Sequence, residues 1–131
     1  MQSENQQRVN KPAAKGLQRL ANAAIYSKQG LIATWQSEEA FRLDVWLFLA
    51  LTPVAFWLGQ TGLEQAVLMI CLVLVILCEL INSAFEAVVD RISDQLHPLA
   101  GMAKDIGSAL VLISCSLTVL VWSLIAWDRF I

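Results

Sequence analysis

Residues 66–78 form an unbroken apolar run, and then, still at helical spacing, Glu79, Asn82, Glu86 and Asp90 break it. At about 100° per residue these four fall within an arc of about 80°. At a rise of about 1.5 Å per residue they form a stripe about 16 Å long. Three more patterned segments surround this one. Residues 13–37 place Leu17, Leu20, Ala24, Leu31 and Trp35 among Lys15, Arg19, Asn22, Lys28 and Gln29. That pattern predicts an amphipathic helix lying on an anionic membrane surface, with Gly30 as a kink or break. Apolar stretches at 40–58, 63–92 and 102–127 each reach or approach the ~20 residues needed to cross a bilayer. The fold class expected is an all-α membrane protein: an N-terminal surface helix followed by three transmembrane helices in one domain, 13–131. A polar tail, 1–12, is expected to be disordered and to carry no cleavable signal.

The second span is longer than a bilayer requires. Its last turns should emerge into water, leaving Glu86 and Asp90 near the interface and Glu79 deeper. Residues 59–62 allow only a tight antiparallel return, and 93–101, with His97-Pro98, should turn the chain into the third span. Arg42 and Asp44, near the start of the first span, are read as reaching the interface. Trp46, Trp57, Trp122 and Trp127 suit interfacial belts. Arg8, Lys11, Lys15, Arg19 and Lys28 precede the first span, Arg91 and Lys104 flank the second connection, and the first turn has no basic residue. By the positive-inside rule the N-terminus and the second connection are cytoplasmic and the C-terminus lies outside. The acidic stripe then opens towards the cytoplasm.

Composition agrees with this reading. The chain has 131 residues, 57% of them hydrophobic, which is too apolar for an ordinary soluble domain. A net charge of −2 implies no nucleic-acid partner. Cys71, Cys78 and Cys115 lie in apolar runs without zinc or redox spacing and are read as packing residues.

Carboxylates at membrane depth are costly, usually functional, and face a bundle interior or a wet cavity. Glu38, Glu39, Glu79, Glu86, Asp90, Asp94 and Asp105 all fall on the cytoplasmic side in this topology. Such groups meet phosphates through magnesium, a hard cation that takes oxygen ligands. Lys104, at the start of the third span, is a natural phosphate contact. Glu79 is placed to take a proton from a hydroxyl that stays in the membrane. These parts describe phosphoryl transfer from a nucleotide to a lipid alcohol, a reaction carried by positioning and electrostatics. The chain has neither a Walker A loop nor the protein-kinase signature set. An ion or proton pathway would use similar carboxylates.

Each of these groups also has a plainer reading. Glu38 and Glu39 could cap the first span, Asp90 could pair with Arg91, and Lys104 could snorkel. Glu64 and Asp94 could be solvated loop charges, and His97 a turn residue. Asn82 and Ser83 could join helices by hydrogen bonds. Glu79 is the exception, because its own helix offers no cationic partner.

The segment Glu79-Leu-Ile-Asn-Ser-Ala-Phe-Glu-Ala-Val-Val-Asp-Arg, with Ala103-Lys-Asp-Ile-Gly-Ser-Ala and the upstream Gly30-Leu, Trp35 and Glu38-Glu-Ala-Phe-Arg, resembles the prokaryotic diacylglycerol kinase family. The resemblance runs from about Leu17 to the C-terminus. It implies a homotrimer in the bacterial inner (cytoplasmic) membrane that uses ATP and magnesium (Mg2+) to phosphorylate diacylglycerol at sites shared between subunits. By position it implies Glu79 as general base, Asn82 and Lys104 as catalytic neighbours, and Glu38 and Glu86 as metal ligands that also approach ATP. Asp90, Lys104 and Asp105 fall on the nucleotide side, as do Leu96, His97 and Pro98. Arg19 and Tyr26 match positions near the nucleotide, while Arg19, Trp35 and Ser108 join Glu79 on the lipid side. The chain departs from the family pattern at Lys28, Gln29, Ile32, Leu96 and Met102. His97-Pro98-Leu99-Ala100 resembles the related undecaprenol kinases, whereas Lys104-Asp105-Ile-Gly-Ser-Ala and the tryptophans at 35, 122 and 127 resemble the diacylglycerol branch. Diacylglycerol is the expected substrate and undecaprenol the alternative. Two readings from other classes are a small ion-conducting oligomer and a non-catalytic assembly subunit.

Overall fold

A computed structural model describes residues 16–92 and 97–131. Four helices follow in order: α1 (Leu17–Ser37), α2 (Glu39–Leu58), α3 (Gly62–Ile92) and α4 (Pro98–Phe130). Expectations for the tail at 1–12, for Asp94 and for Leu96 fall outside the described residues. The chain divides into two compact units, Met1–Ala33 and Thr34–Ile131.

Helix is the form these sequences must take in lipid, where every backbone N–H and C=O has to be satisfied within its own segment. The helices α2, α3 and α4, of 20, 31 and 33 residues, are each long and apolar enough to span a membrane. At about 1.5 Å per residue α3 is about 46 Å long. It therefore outruns a hydrocarbon core of about 30 Å. Within α1 no residue is buried. Gly30 does not break it, because a glycine weakens a helix without removing a backbone hydrogen bond.

One extended residue, Glu38, separates α1 from α2. Arg42, near the start of α2, has a partner within the chain. Its Nη1 turns back and donates to the carbonyl of Trp35 at 2.8 Å, satisfying an orphan acceptor at the end of α1. Trp35 also meets Trp46 edge to face, with ring centroids 6.1 Å apart.

The α2–α3 turn is closed by side chains. Thr61 Oγ1 accepts from the Glu64 amide at 3.2 Å, and the Glu64 carboxylate accepts from the Gln60 amide at 2.7 Å. Glu64 is thus part of a helix cap and not a solvated charge. Gln65 Nε2 donates to the Gly59 carbonyl at 3.0 Å, and a Cβ at Gly59 would press on the Gln65 backbone amide at 2.9 Å. The close approach requires glycine there.

The helix α4 begins at Pro98, earlier than the start expected near 102. His97 adopts an extended backbone, its Nδ1 accepts from the Leu99 amide, and Pro98 takes the first turn, where no amide is needed. His97 is therefore an N-cap.

At the end of the bundle near the α2–α3 turn, Ala55, Leu58 and Leu68 are buried among Met69, Trp122, Ile125 and Ala126. Arg129 locks this end. Its Nη1 donates to the carbonyls of Trp57 and Leu58, and its guanidinium lies 4.5 Å from the Trp57 ring centroid. Arg129→Ala is expected to lower unfolding stability by about 1–3 kcal/mol, the range for hydrogen bonds to a charged group. Denaturation in detergent checks this, and an unchanged midpoint would remove Arg129 as a clasp.

The outer faces of the three spans are apolar. Leu112, Ile113, Val119 and Leu120 of α4 are all exposed. Apolar surface of this extent needs lipid or protein against it.

Candidate active site

The polar stripe of α3 is graded by depth. Glu79 is 4% exposed and Asn82 8%. Glu86 is half-buried, and the Asp90 side chain is 65% exposed. The gradient arises because the stripe runs from the packed middle of α3 to its free end. Within this stripe, Asn82 Nδ2 donates to Glu86 Oε1 at 3.1 Å. Ser83 Oγ donates to the Glu79 carbonyl of its own helix at 2.9 Å. Neither Asn82 nor Ser83 makes an interhelical hydrogen bond among the described residues. Between α3 and α4 that role falls to Thr118 Oγ1, 3.3 Å from the Cys71 carbonyl.

No cation is set against Glu79 among the described residues. A positive charge stands at the open end of the stripe. Lys104 Nζ of α4 lies 2.5 Å from Asp90 Oδ1, so Asp90 pairs across helices with Lys104 and not with Arg91. Glu38 occupies the N-cap position of α2, yet its carboxylate makes no cap hydrogen bond and stays available. Among the described residues no group of three or more His, Cys, Asp or Glu side chains could hold a metal ion.

Not every candidate joins the stripe within one chain. Asp105 and Ser108 are exposed on α4. Asp105 sits about 100° around the helix from Lys104. Arg19 and Tyr26 lie on exposed positions of α1. Trp35 stands at the α1–α2 junction beside Trp46, and His97 and Pro98 form the cap of α4.

Sequence reasoning missed Asp44. Its Oδ2 is buried without a hydrogen-bond partner, and the residue lines an apolar cavity of about 170 Å³ with Phe48, Leu51, Leu72, Val75 and Thr118. The signal that singled out Glu79, an acid inside an apolar run, applied equally to Asp44. Its position near the helix start suggested the interface instead.

Apolar spans carrying a buried carboxylate, with a row of acids leading to an exposed aspartate–lysine pair, define an integral-membrane protein with a polar stripe at one end of its bundle. Comparison with known proteins specifies which. The sequence model described as "Prokaryotic diacylglycerol kinase" matches residues 25–126. The chain is 42% identical over 115 residues to the "Diacylglycerol kinase" of Escherichia coli (strain K12), covering 88% of this chain and 94% of that one. It is 44% identical over 107 residues to that of Haemophilus influenzae, covering 82% and 91%. It is 42% identical over 120 residues to that of Helicobacter pylori (strain 26695), covering 92% and 90%. The chain belongs to the prokaryotic diacylglycerol kinase family. These names do not favour the undecaprenol alternative.

Proposed function

We propose that this protein phosphorylates diacylglycerol to phosphatidic acid with ATP, using the α3 stripe as its active site. The observation that carries the reading is the gradient from buried Glu79 to the exposed Asp90–Lys104 pair. A lipid hydroxyl approaches from the membrane and a nucleotide from water, and one helix face meets both. Glu79 accepts the proton of the lipid hydroxyl as its oxygen bonds to the γ-phosphorus. The bond from that phosphorus to the bridging oxygen breaks, and ADP leaves. Lys104 exchanges Asp90 for a phosphate oxygen, and Asp105 lies on the same nucleotide side.

The donor set fits a hard cation, since one Glu86 oxygen is held by Asn82 and the Glu38 carboxylate is uncommitted to its helix. Magnesium favours this arrangement, taking one or two carboxylates and completing its shell from water and substrate phosphates. Glu38 and Glu86 would hold it, and when bound it neutralises charge on the transferring phosphoryl group.

A homotrimer completes the site in this reading. Exposed apolar faces on α4 call for a partner, and Asp105 and Ser108 have no place on the stripe of their own chain. Arg19, Tyr26, Trp35, Ser108 and the His97-Pro98 cap serve nucleotide or lipid on the assembled surface. The N-terminus and the site face the cytoplasm, the C-terminus lies outside, and the protein resides in the bacterial inner membrane.

Purified protein given labelled ATP and magnesium should phosphorylate diacylglycerol in preference to undecaprenol offered alongside, and should stop when a chelator removes the metal. Preferred labelling of undecaprenol, or ion flux across liposomes without ATP consumption, would overturn the reading.

A further inference from the structure

Gly107 of α4 is buried and helical. Its backbone has no positive φ, so conformation does not call for glycine there. In a helix interior glycine is a poor choice on propensity. The reason for it lies across the interface, in Asn82. The Asn82 Nδ2 donates to Glu86 Oε1. That bond fixes which way the amide points, because the opposite orientation would set an amide oxygen against a carboxylate oxygen. Asn82 Oδ1 is thereby turned to the other side, where it is buried and accepts no hydrogen bond. What stands there is Gly107. A Cβ added at Gly107 would collide with Asn82 Oδ1 and would lie 3.3 Å from Asn82 Cγ. Glycine carries a hydrogen in that direction, and a Cα–H facing an amide oxygen is a weak donor. The otherwise orphaned oxygen thus has one compensating contact, and only glycine supplies it.

We propose that Gly107 is a positioning residue for the site. By leaving room for the Asn82 amide it holds Nδ2 on Glu86, and so fixes how Glu86 presents its remaining oxygen lone pairs to the metal. The inference rests on the reading of Glu86 as a metal-side carboxylate. A methyl group at 107 displaces the Asn82 amide, breaks its bond to Glu86 and lets that carboxylate rotate.

The test compares Gly107→Ala, Asn82→Ala and the double variant, with Gly101→Ala as control, since a Cβ at Gly101 meets nothing within 4 Å. Initial rates are titrated with magnesium at fixed ATP and diacylglycerol, and melting is followed in detergent without metal or nucleotide. Gly107→Ala and Asn82→Ala should each lower turnover about tenfold to a hundredfold, the scale of a small misplacement. Each should also raise the magnesium needed for half-maximal rate, and the double variant should be no worse than either alone. Gly107→Ala should melt earlier than the parent. The double variant should regain that loss, because alanine at 82 leaves the new methyl room. Gly101→Ala should match the parent.

Losses that multiply in the double variant overturn the inference, as does a Gly107→Ala protein with the parent's magnesium curve when Glu86→Gln shifts it. If Gly107→Ala fails to fold, a double variant that folds with the activity of Asn82→Ala supports it, and one that also fails to fold overturns it. Failure of the underlying reading looks different. Glu86→Gln would then keep the parent's magnesium curve, while the non-additive losses and the recovered melting would still tie Gly107 to Asn82.

Discussion

Replacing Glu79 with glutamine is expected to lower lipid phosphorylation about a hundredfold to ten-thousandfold, the usual contribution of a general base. Glutamine keeps the volume and shape of glutamate, so a side chain 4% exposed at the centre of the α3 face is not replaced by a hole. What changes is the ability to accept a proton. Stability should not fall with activity. No described cation is paired with Glu79, so removing its charge strands no partner. The variant should therefore melt at or above the parent temperature, assemble as the parent does and still bind nucleotide. Turnover, melting and nucleotide binding measured on one preparation check this. Near-parental turnover would end the assignment. A variant that loses assembly first would favour the reading of the stripe as an assembly device.

Glu86→Gln is expected to act differently. The glutamine side-chain oxygen can still accept from Asn82 Nδ2, so the hydrogen bond now seen at 3.1 Å survives. The negative charge does not. A carboxylate that holds a hard cation contributes through that charge. The magnesium needed for half-maximal rate should rise about tenfold or more, equivalent to about 1.4 kcal/mol. Turnover should recover in part at high metal. The check is a set of initial rates across a magnesium series at saturating ATP and lipid. An unchanged curve would remove Glu86 from the metal's ligands. The contrast between a variant rescued by metal and one that is not separates proton transfer at Glu79 from charge neutralisation at Glu86.

Most of the fold could be read along the chain, because in a membrane length and apolarity dictate helix directly. The errors cluster where a side chain folds back on the backbone. His97 moves the start of α4 forward to Pro98, and Arg42 satisfies a carbonyl of α1 that no pattern in the sequence pointed to. Glu64 serves a turn that composition alone presents as a loop charge. Each of these depends on the reach and direction of one side chain, which periodicity does not encode. In the site, Glu79, Asn82, Glu86 and Asp90 could be found because helical spacing is a property of sequence. Asp44 and Gly107 could not. The Oδ2 atom of Asp44 is buried only because α3 and α4 lie beside α2, and Gly107 has no chemistry of its own to notice.

Residue order alone is enough to establish a membrane protein of three spans, a row of acids on a single face of one helix, and the family. These follow from local rules: apolar length, a period of about 3.6 residues, and a specific string of residues. How deep each acid sits, that Lys104 answers Asp90, that Glu38 keeps its carboxylate free of the α2 cap, and that Asn82 is seated against Gly107 all emerge once the helices pack. Burial and pairing are set by what the neighbouring helix places opposite a residue. The partner of Asn82 lies on another helix, and no local pattern points to it.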